Sequence, residues 1–178
     1  RHSSSAASDV YKRQIHEQDR KFILSLGGWG NDGAFEVISA DAGLRELFIN
    51  NLISVLLING YDGADLDWEF PDSESDRTNL NLLVSEMDSM FHAVNPELLI
   101  TMAIPVSPWW GQWNDFEFLT NHVDFYNAMT YGTHGDWSSH AGHLSPLYAS
   151  PVGDPDGSCH TNVDLSLIHI SEPTRQSP

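Results

Sequence analysis

The chain has 178 residues, of which 25 are acidic and only 8 are Lys or Arg, so its formal net charge at pH 7 is −17. Because contacts to phosphate need Lys and Arg, this charge argues against nucleic acid as a partner. No apolar run approaches the roughly 18 residues of a membrane span, so no membrane partner is expected. The lone Cys159 allows neither an internal disulfide nor a metal site built on paired cysteines.

Both ends of the sequence differ from its middle. Residues 1–14 and 165–178 lack hydrophobic periodicity, and they resemble translated sequencing-adaptor sequence read in its two orientations. Segments of this kind are excluded from fold reasoning. We therefore predict an artefactual extension over 1–14, a natural domain fragment over 15–164 and a second artefactual extension over 165–178.

Between these ends, short apolar runs alternate with longer amphipathic stretches. The apolar runs predict strands, at 21–26, 63–70, 98–104 and 123–131. The amphipathic stretches predict helices, at 41–57, 76–94 and 116–119. Strands that alternate with helices indicate successive βα units and a parallel sheet of the α/β class, which fits a doubly wound sheet or a (β/α)8 barrel.

Two predicted helices have a definite apolar face. In the first, the face is predicted to consist of Leu44, Leu47, Phe48, Leu52 and Val55, and Gly60 is predicted to end the helix. In the second, the predicted face consists of Leu80, Leu83, Val84, Met87, Met90 and Phe91. The polar and aromatic residues of interest follow the carboxyl ends of all four strands, where a (β/α)8 barrel gathers its active site. We therefore predict a partial (β/α)8 TIM barrel.

The segment 62–69 has carboxylates at alternating positions. Asp65, Asp67 and Glu69 project to the same side of a strand, whereas Asp62 has the opposite parity and is predicted to cap or brace the strand's start. Burial and like charge each raise the pKa of a carboxyl group, and that cost is tolerated where chemistry needs a protonated general acid. A calcium loop fits less well, because apolar residues fill the alternate positions. We predict a catalytic strand.

The pattern Asp62-x-x-Asp65-x-Asp67-x-Glu69 resembles the signature of glycoside hydrolase family 18, the chitinases and their relatives. Ser25-Leu26-Gly27-Gly28-Trp29 resembles the family's S-x-G-G motif on the third barrel strand, in which Ser25 and Gly27 are structural. Met129-Thr130-Tyr131 resembles the start of its M-x-Y-D motif on the sixth. The resemblance extends over nearly all of 15–164, and it implies that the strands are about the third to sixth of eight.

The resemblance implies a retaining mechanism in which the substrate takes part, an exception to the two-carboxylate scheme. Glu69 is the implied proton donor to the glycosidic oxygen, and the substrate's 2-acetamido oxygen then attacks the anomeric carbon. Asp67 would hold the acetamido N–H with Asp65 sharing its proton, and Tyr131 would orient the acetamido oxygen. No cofactor or metal is implied. A non-proline cis peptide after Glu69 is implied as well.

The implied substrate is chitin or another polysaccharide that contains N-acetylglucosamine, cleaved at β-1,4 bonds outside the cell. Residues expected to bind it are Gly28, Trp29, Trp110 and Met129. Packing beneath the site is the favoured role for Trp68, and also for Trp29 where it is not a substrate contact. One departure stands out, because Gly132 occupies the position where the family usually has Asp. Either the loss is real and alters rate or pH dependence, or it is a sequencing error.

Other readings remain open. An endo-β-N-acetylglucosaminidase shares the carboxylate strand, and a lectin-like relative binds without cleaving, but the stretch from His134 to Tyr148 resembles the chitinase loop. The histidines after the fourth strand are predicted to be structural or exposed rather than metal ligands, at His134, His140, His143 and His160. The segment 154–157 is predicted to be a turn. Because half a barrel leaves strand edges unpaired, the isolated chain is not expected to be a stable, active enzyme.

Overall fold

A computed structural model describes residues 3–31 and 33–148, and it contains one parallel sheet with its strands in the order β1-β2-β3-β4. The strands are β1 (Ile23–Gly27), β2 (Gly63–Asp67), β3 (Leu99–Pro105) and β4 (Phe125–Met129). The helices are α1 (Ser3–His16), α2 (Gly33–Ala40), α3 (Ala42–Asn59), α4 (Glu74–Val94), α5 (Pro108–Gly111) and α6 (Phe116–Leu119). All four predicted strands and all three predicted helices are present; α1, α2 and α5 were not predicted.

Successive side chains along each strand point to opposite faces of the sheet, and the two faces differ in composition. The register aligns Ser25 with Asp65, Asp65 with Thr101, and Thr101 with Phe125. Side chains at these positions share one face of the sheet, which carries the polar residues Ser25, Asp65 and Thr101 as well as Phe125. The opposite face is apolar and packs against the helices, through Ala64, Leu66, Trp68, Ile100, Met102 and Ile104. We call these the inner and the outer face, since the polar face would line the interior of a closed barrel.

Helix α4 buries the face that the sequence predicts. Leu80, Leu83, Val84, Met87 and Phe91 are fully buried, and Met90 packs against them. The helix begins at Ser73, whose side chain accepts a hydrogen bond from the Asp76 N–H at 3.1 Å, and acidic residues follow in its first turn. Both features stabilise a helix N-terminus.

Helix α3 is correctly predicted, but its predicted buried face is largely wrong. The residues that it buries are Arg45, Ile49, Leu52, Ile53 and Leu56. Of the predicted face, only Leu52 is among them, Phe48 is partly buried, and Leu44, Leu47 and Val55 are exposed. Apolar residues occupy most positions around this helix, so periodicity alone does not select the side that meets α2 and α4. Gly60 ends the helix in the left-handed conformation, as predicted.

By length and composition alone, α3 is the one helix among the described residues that could cross a membrane. It packs against α2 and α4, and the guanidinium of its buried Arg45 donates to both carboxylate oxygens of Glu86 on α4, at 2.9 and 2.8 Å. This bidentate pair fixes the position of α3 against α4.

Two aspartates join neighbouring strands at the amino-terminal end of the sheet. Asp62, just before β2, accepts a hydrogen bond from the Phe22 N–H at 2.7 Å and returns one from its own N–H to the Phe22 carbonyl at 2.8 Å. Asp124, just before β4, exchanges the same two bonds with Ile100, both at 2.8 Å. Asp62 therefore braces the start of β2.

Helix α1 crosses the predicted boundary at residue 14. The side chain of Lys12 is buried, donates to the Asn59 carbonyl and lies 5.4 Å from the centroid of the Tyr61 ring. The His16 Nε2 lies 2.8 Å from Asp62 Oδ2. These contacts attach the helix to the amino-terminal end of the sheet. The boundary at 14 stays a prediction, and the one at 164 lies outside the described residues.

Candidate active site

The carboxylates of β2 occupy successive levels of the inner face. Asp65 lies within the strand and is 9% exposed, Asp67 is its last residue, and Glu69 follows two residues later. The intervening Trp68 is on the outer face, where it is 5% exposed and stacks on Phe35 with ring centroids 5.7 Å apart. The peptide bond between Glu69 and Phe70 is cis. The series therefore leads from the middle of the sheet to its carboxyl end.

Asp65 receives hydrogen bonds from all three other strands. Its Oδ2 accepts from Ser25 Oγ of β1 at 3.0 Å. Its Oδ1 accepts from Thr101 Oγ1 of β3 at 2.5 Å and from Asn127 Nδ2 of β4 at 2.9 Å. A buried carboxylate needs such partners, because burying an unpaired charge is costly. The three donors fix the position of Asp65.

The glycines of the first motif let β1 approach β2 closely. Gly27 has φ +106°, and a Cβ built there would meet the carbonyl oxygen of Asp67 at 2.3 Å. The next N–H, of Gly28, donates to that same carbonyl at 2.8 Å. Any larger residue at position 27 would push the strands apart at the level of Asp67. Gly27 is thus required by the backbone geometry beneath the site.

A cleft of roughly 670 Å³ opens at the carboxyl end of the strands. Its walls contain five of the residues predicted for the site, Trp29, Glu69, Trp110, Met129 and Tyr131. The other lining residues are Phe70, Pro105, Val106, Ser107, Gly132, Thr133 and Trp137. Asp65, Asp67 and Gly28 are not part of the lining, and they lie on the strands or strand ends beneath it. The structure thus brings the three predicted motifs together at one place.

Aromatic rings form much of the cleft wall. Phe70 stacks on Trp110 with centroids 5.4 Å apart, and the edge of Trp29 meets Phe70 at 6.4 Å. Trp29 is 74% exposed and Trp110 is 40% exposed. The prediction that Trp29 packs beneath the site is therefore wrong, because its ring lines the cleft. The same prediction is correct for Trp68, which is buried. Exposed rings beside a carboxylic acid suit a ligand with apolar faces and polar edges.

Tyr131 and Gly132 follow β4 at the cleft. Tyr131 is 62% exposed, and Gly132 has φ +68° with no heavy atom within 4 Å of a Cβ built there. The loop beyond them turns back towards β4, since the Thr133 N–H donates to the Leu144 carbonyl at 3.2 Å and Ser145 Oγ donates to the Thr130 carbonyl. Because no heavy atom lies near a Cβ built at Gly132, there is space for a side chain at this position.

The histidines that follow β4 lie in this loop. The rings of His134 and His140 meet edge to face at 5.3 Å, and His134 Nδ1 lies 3.0 Å from the His143 carbonyl oxygen. Within residues 3–31 and 33–148, no group of three or more His, Cys, Asp or Glu is placed to hold a metal ion. His160 and the predicted turn at 154–157 lie outside the described residues.

Sequence reasoning missed several residues at the site. Thr101 and Asn127 contact Asp65, and Trp137, which is 71% exposed, lines the cleft. The signal for the first two was present, because they are the polar interruptions on the inner face of otherwise apolar strands. Which carboxylate they reach depends on strand register, which the sequence does not state.

Known proteins share this arrangement over most of the chain. The sequence pattern of the family described as Glycosyl hydrolases family 18 matches residues 6–177. Chitinase 1 of Aphanocladium album is 31% identical over 170 residues, which is 91% of this chain and 40% of that protein. The chain therefore spans less than half the length of this relative.

Solved structures agree. A chitinase from Trichuris suis superposes with a TM-score of 0.82 at 36% identity, covering 92% of this chain and 46% of that one. A class V chitinase from Nicotiana tobaccum, solved with NAG4, superposes with a TM-score of 0.76 at 25% identity over 95% of this chain and 51% of that one. Their fold is the TIM barrel, which confirms the prediction of a partial α/β barrel. The chain belongs to glycosyl hydrolase family 18.

Proposed function

We propose that the protein hydrolyses β-1,4 bonds in chitin or N-acetylglucosamine oligomers, with retention of configuration and with Glu69 as proton donor. One observation carries the proposal: the inner face of β2 leads through Asp65 and Asp67 to Glu69, which lines an aromatic cleft together with Tyr131. Chitin hydrolysis in general is supported by the family and by the chitinases among the relatives. The mechanism and the residue roles are our proposal.

Glu69 is the candidate acid because it alone of the three carboxylates lines the cleft. Aromatic rings line the cleft together with Glu69, and a less polar environment favours the neutral carboxylic acid over the anion. A general acid must carry its proton when the glycosidic oxygen leaves. Glu69 would donate that proton, and as a carboxylate it would then activate the water that completes hydrolysis.

The substrate's 2-acetamido oxygen would act as nucleophile and form a cyclic oxazolinium ion. Asp67 would accept the acetamido N–H and stabilise the positive charge that develops on the group, and Asp65 would share a proton with it. Tyr131 would donate its hydroxyl to the acetamido oxygen and orient it. Because the nucleophile belongs to the substrate, this mechanism requires an N-acetylated sugar at the cleavage site.

The aromatic residues of the cleft would bind the flanking sugars. Trp29 and Trp110 present exposed ring surface to the cleft, and Met129 and Gly28 would contribute shape beside and beneath it. The structure of the tobacco chitinase contains NAG4, which supports N-acetylglucosamine oligomers as ligands of this chain too. An insoluble polymer of this kind is met outside the cell, so we also propose an extracellular location, which detection of the protein in the culture medium would test.

The decisive experiment replaces Glu69 with Gln in the protein encoded by the full-length gene. We expect kcat on N-acetylglucosamine oligomers to fall by about 10²–10⁴-fold, the usual contribution of a general acid. Oligomer affinity and melting temperature are expected to change little, because Gln keeps the size and polarity of the side chain.

The matched control is Glu46→Gln, which makes the same charge change at an exposed position of α3 and should leave kcat unchanged. Full activity of Glu69→Gln would reject the proton-donor role. Tight oligomer binding without hydrolysis by the unsubstituted protein would instead indicate a lectin-like function.

A further inference from the structure

The two oxygens of the Asp65 carboxylate are not equivalent. Oδ1 accepts two hydrogen bonds, from Thr101 Oγ1 at 2.5 Å and Asn127 Nδ2 at 2.9 Å, whereas Oδ2 accepts one, from Ser25 Oγ at 3.0 Å. A carboxylate oxygen has two lone pairs. Both acceptor positions of Oδ1 are thus occupied by protein donors, and an acceptor position remains on Oδ2.

Asn127 reaches Asp65 from two strands away. The register pairs Asn127 with Ala103 of β3, and β3 separates β4 from β2. The contact exists because the side chains of the inner face converge across the curved sheet. The direction of this hydrogen bond follows from the chemistry of Asp65. An ionised carboxylate offers only acceptors, so the Asn127 amide turns its NH₂ group towards Oδ1.

We propose that Asn127 is a positioning residue for the reaction, an inference that rests on the proposed function. By donating to Oδ1 together with Thr101, it keeps that oxygen from taking a proton and fixes the rotation of the Asp65 carboxyl group. The proton that Asp65 shares with Asp67 is thereby confined to Oδ2. Asn127 is not among the residues that line the cleft, so it would act through Asp65.

A purely structural role explains the residue less well. The residues of β4 that pack against the core are Tyr126 and Ala128, on the opposite face of the strand. Asn127 itself is exposed in the described structure apart from its contact with Asp65. Loss of its amide therefore removes a donor from Asp65 without opening a cavity in the core. Rate and pH dependence should respond to its loss more than stability.

The test compares Asn127→Leu, which keeps the side-chain size and removes the donor, with Tyr126→Phe, which alters the same strand on its other face. Both are made in the protein encoded by the full-length gene. For Asn127→Leu we expect kcat on N-acetylglucosamine oligomers to fall about tenfold, the size of one hydrogen bond to a charged group, with little change in KM. A carboxylate that has lost a donor holds a proton more tightly. The acidic limb of the kcat profile is therefore expected to move to higher pH, whereas Tyr126→Phe leaves it in place.

Two further variants keep the test decisive. Thr101→Val removes the other donor to Oδ1 without changing side-chain volume and is expected to move the acidic limb in the same direction. Asn127→Gln retains a donor and is expected to recover part of the lost kcat. If neither Asn127→Leu nor Thr101→Val moves the limb, or if kcat falls only in proportion to the folded fraction, the positioning role is rejected.

Failure of this inference is separable from failure of the proposed function. If Glu69→Gln abolishes hydrolysis while the donor variants keep the original pH profile, only the role of Asn127 is wrong. If the unsubstituted protein does not hydrolyse N-acetylglucosamine oligomers, the proposed function is wrong and the role of Asn127 falls with it.

Discussion

The two ends of β2 use the same side chain for different purposes. At the amino-terminal end, Asp62 accepts from a backbone N–H of the neighbouring chain segment, and Asp124 repeats this arrangement before β4. Towards the carboxyl end, Asp65 accepts from the side chains of Ser25, Thr101 and Asn127, and Glu69 faces the cleft. The comparison teaches that the partner of a carboxylate, and not its presence in a motif, distinguishes bracing from chemistry.

The distinction between the two ends of β2 would fail if Asp67, at the carboxyl end, had only a structural role. We expect Asp67→Asn to reduce kcat by at least about 100-fold, since electrostatic stabilisation of developing charge contributes on that order, while the melting temperature changes little. Asp72→Asn, the same change at an exposed position of the following loop, should keep full activity. A large fall in melting temperature with normal kcat for the folded Asp67→Asn protein would contradict the assignment.

At the amino-terminal end of β2 we expect the opposite result, namely that a substitution lowers stability and leaves kcat nearly unchanged. Burial raises the pKa of Asp62. The hydrogen bond from Phe22 and the contacts of His16 and Lys21 lower this pKa by more than burial raises it, so the pKa lies below its ordinary value. Asp62→Asn should cost about 1–2 kcal/mol in the free energy of unfolding at pH 7, as expected for a lost charge-assisted hydrogen bond. Denaturant titration measures this cost, and kcat should stay within about twofold, or roughly 0.4 kcal/mol in the barrier.

The pH dependence of that cost has a definite sign. A lowered pKa in the folded state means that the contribution of Asp62 is present in full above the unfolded carboxyl pKa of about 3.9. It is lost as the pH falls through the lower folded pKa. The difference between the unsubstituted protein and Asp62→Asn should therefore stay constant from pH 7 down to about pH 4 and shrink below it, whereas Glu17→Gln, exposed at the same end, should show no such change. A difference that stays constant below that pH as well would contradict the electrostatic explanation.

The aromatic residues of the cleft give a further test at the carboxyl end of the strands. Trp110→Ala should raise KM for N-acetylglucosamine oligomers about fivefold, or roughly 1 kcal/mol of lost ring contact. The neighbouring Trp109 is 71% exposed but does not line the cleft, so Trp109→Ala is a matched control with an unchanged KM. Equal effects of the two substitutions would contradict the assignment of Trp110 to the cleft.

The smallest expected effect concerns Gly132. An Asp at this position has space for its Cβ, but it must adopt φ +68°, which costs about 1 kcal/mol for a residue other than glycine. We expect Gly132→Asp to lower the free energy of unfolding by no more than that amount and to raise kcat modestly by adding a carboxylate beside Tyr131. Gly132→Ala, which carries the same backbone cost without the carboxylate, is the control. A gain in kcat with Ala as large as with Asp would reject an electrostatic effect.

Much of the site could be predicted because it follows from local rules. Alternation along β2 places Asp65 and Asp67 on one face and Trp68 on the other, and it separates Asp62 from the series. What failed depends on contacts between distant segments. The buried side of α3 is selected by its neighbours, the partners of Asp65 by strand register, and the position of Trp29 by the turn that follows Gly27 and Gly28.

The separation of the inner and outer faces also has a consequence for how such a protein changes over generations. Neighbouring codons in β2 and β3 specify, in alternation, a residue of the outer face, which packs against the helices, and a residue of the inner face. A point mutation at one inner position can alter rate or specificity while the apolar layer stays intact, and a conservative exchange in that layer leaves the polar residues unchanged. Selection on catalysis and selection on folding therefore act on interleaved but different sets of positions.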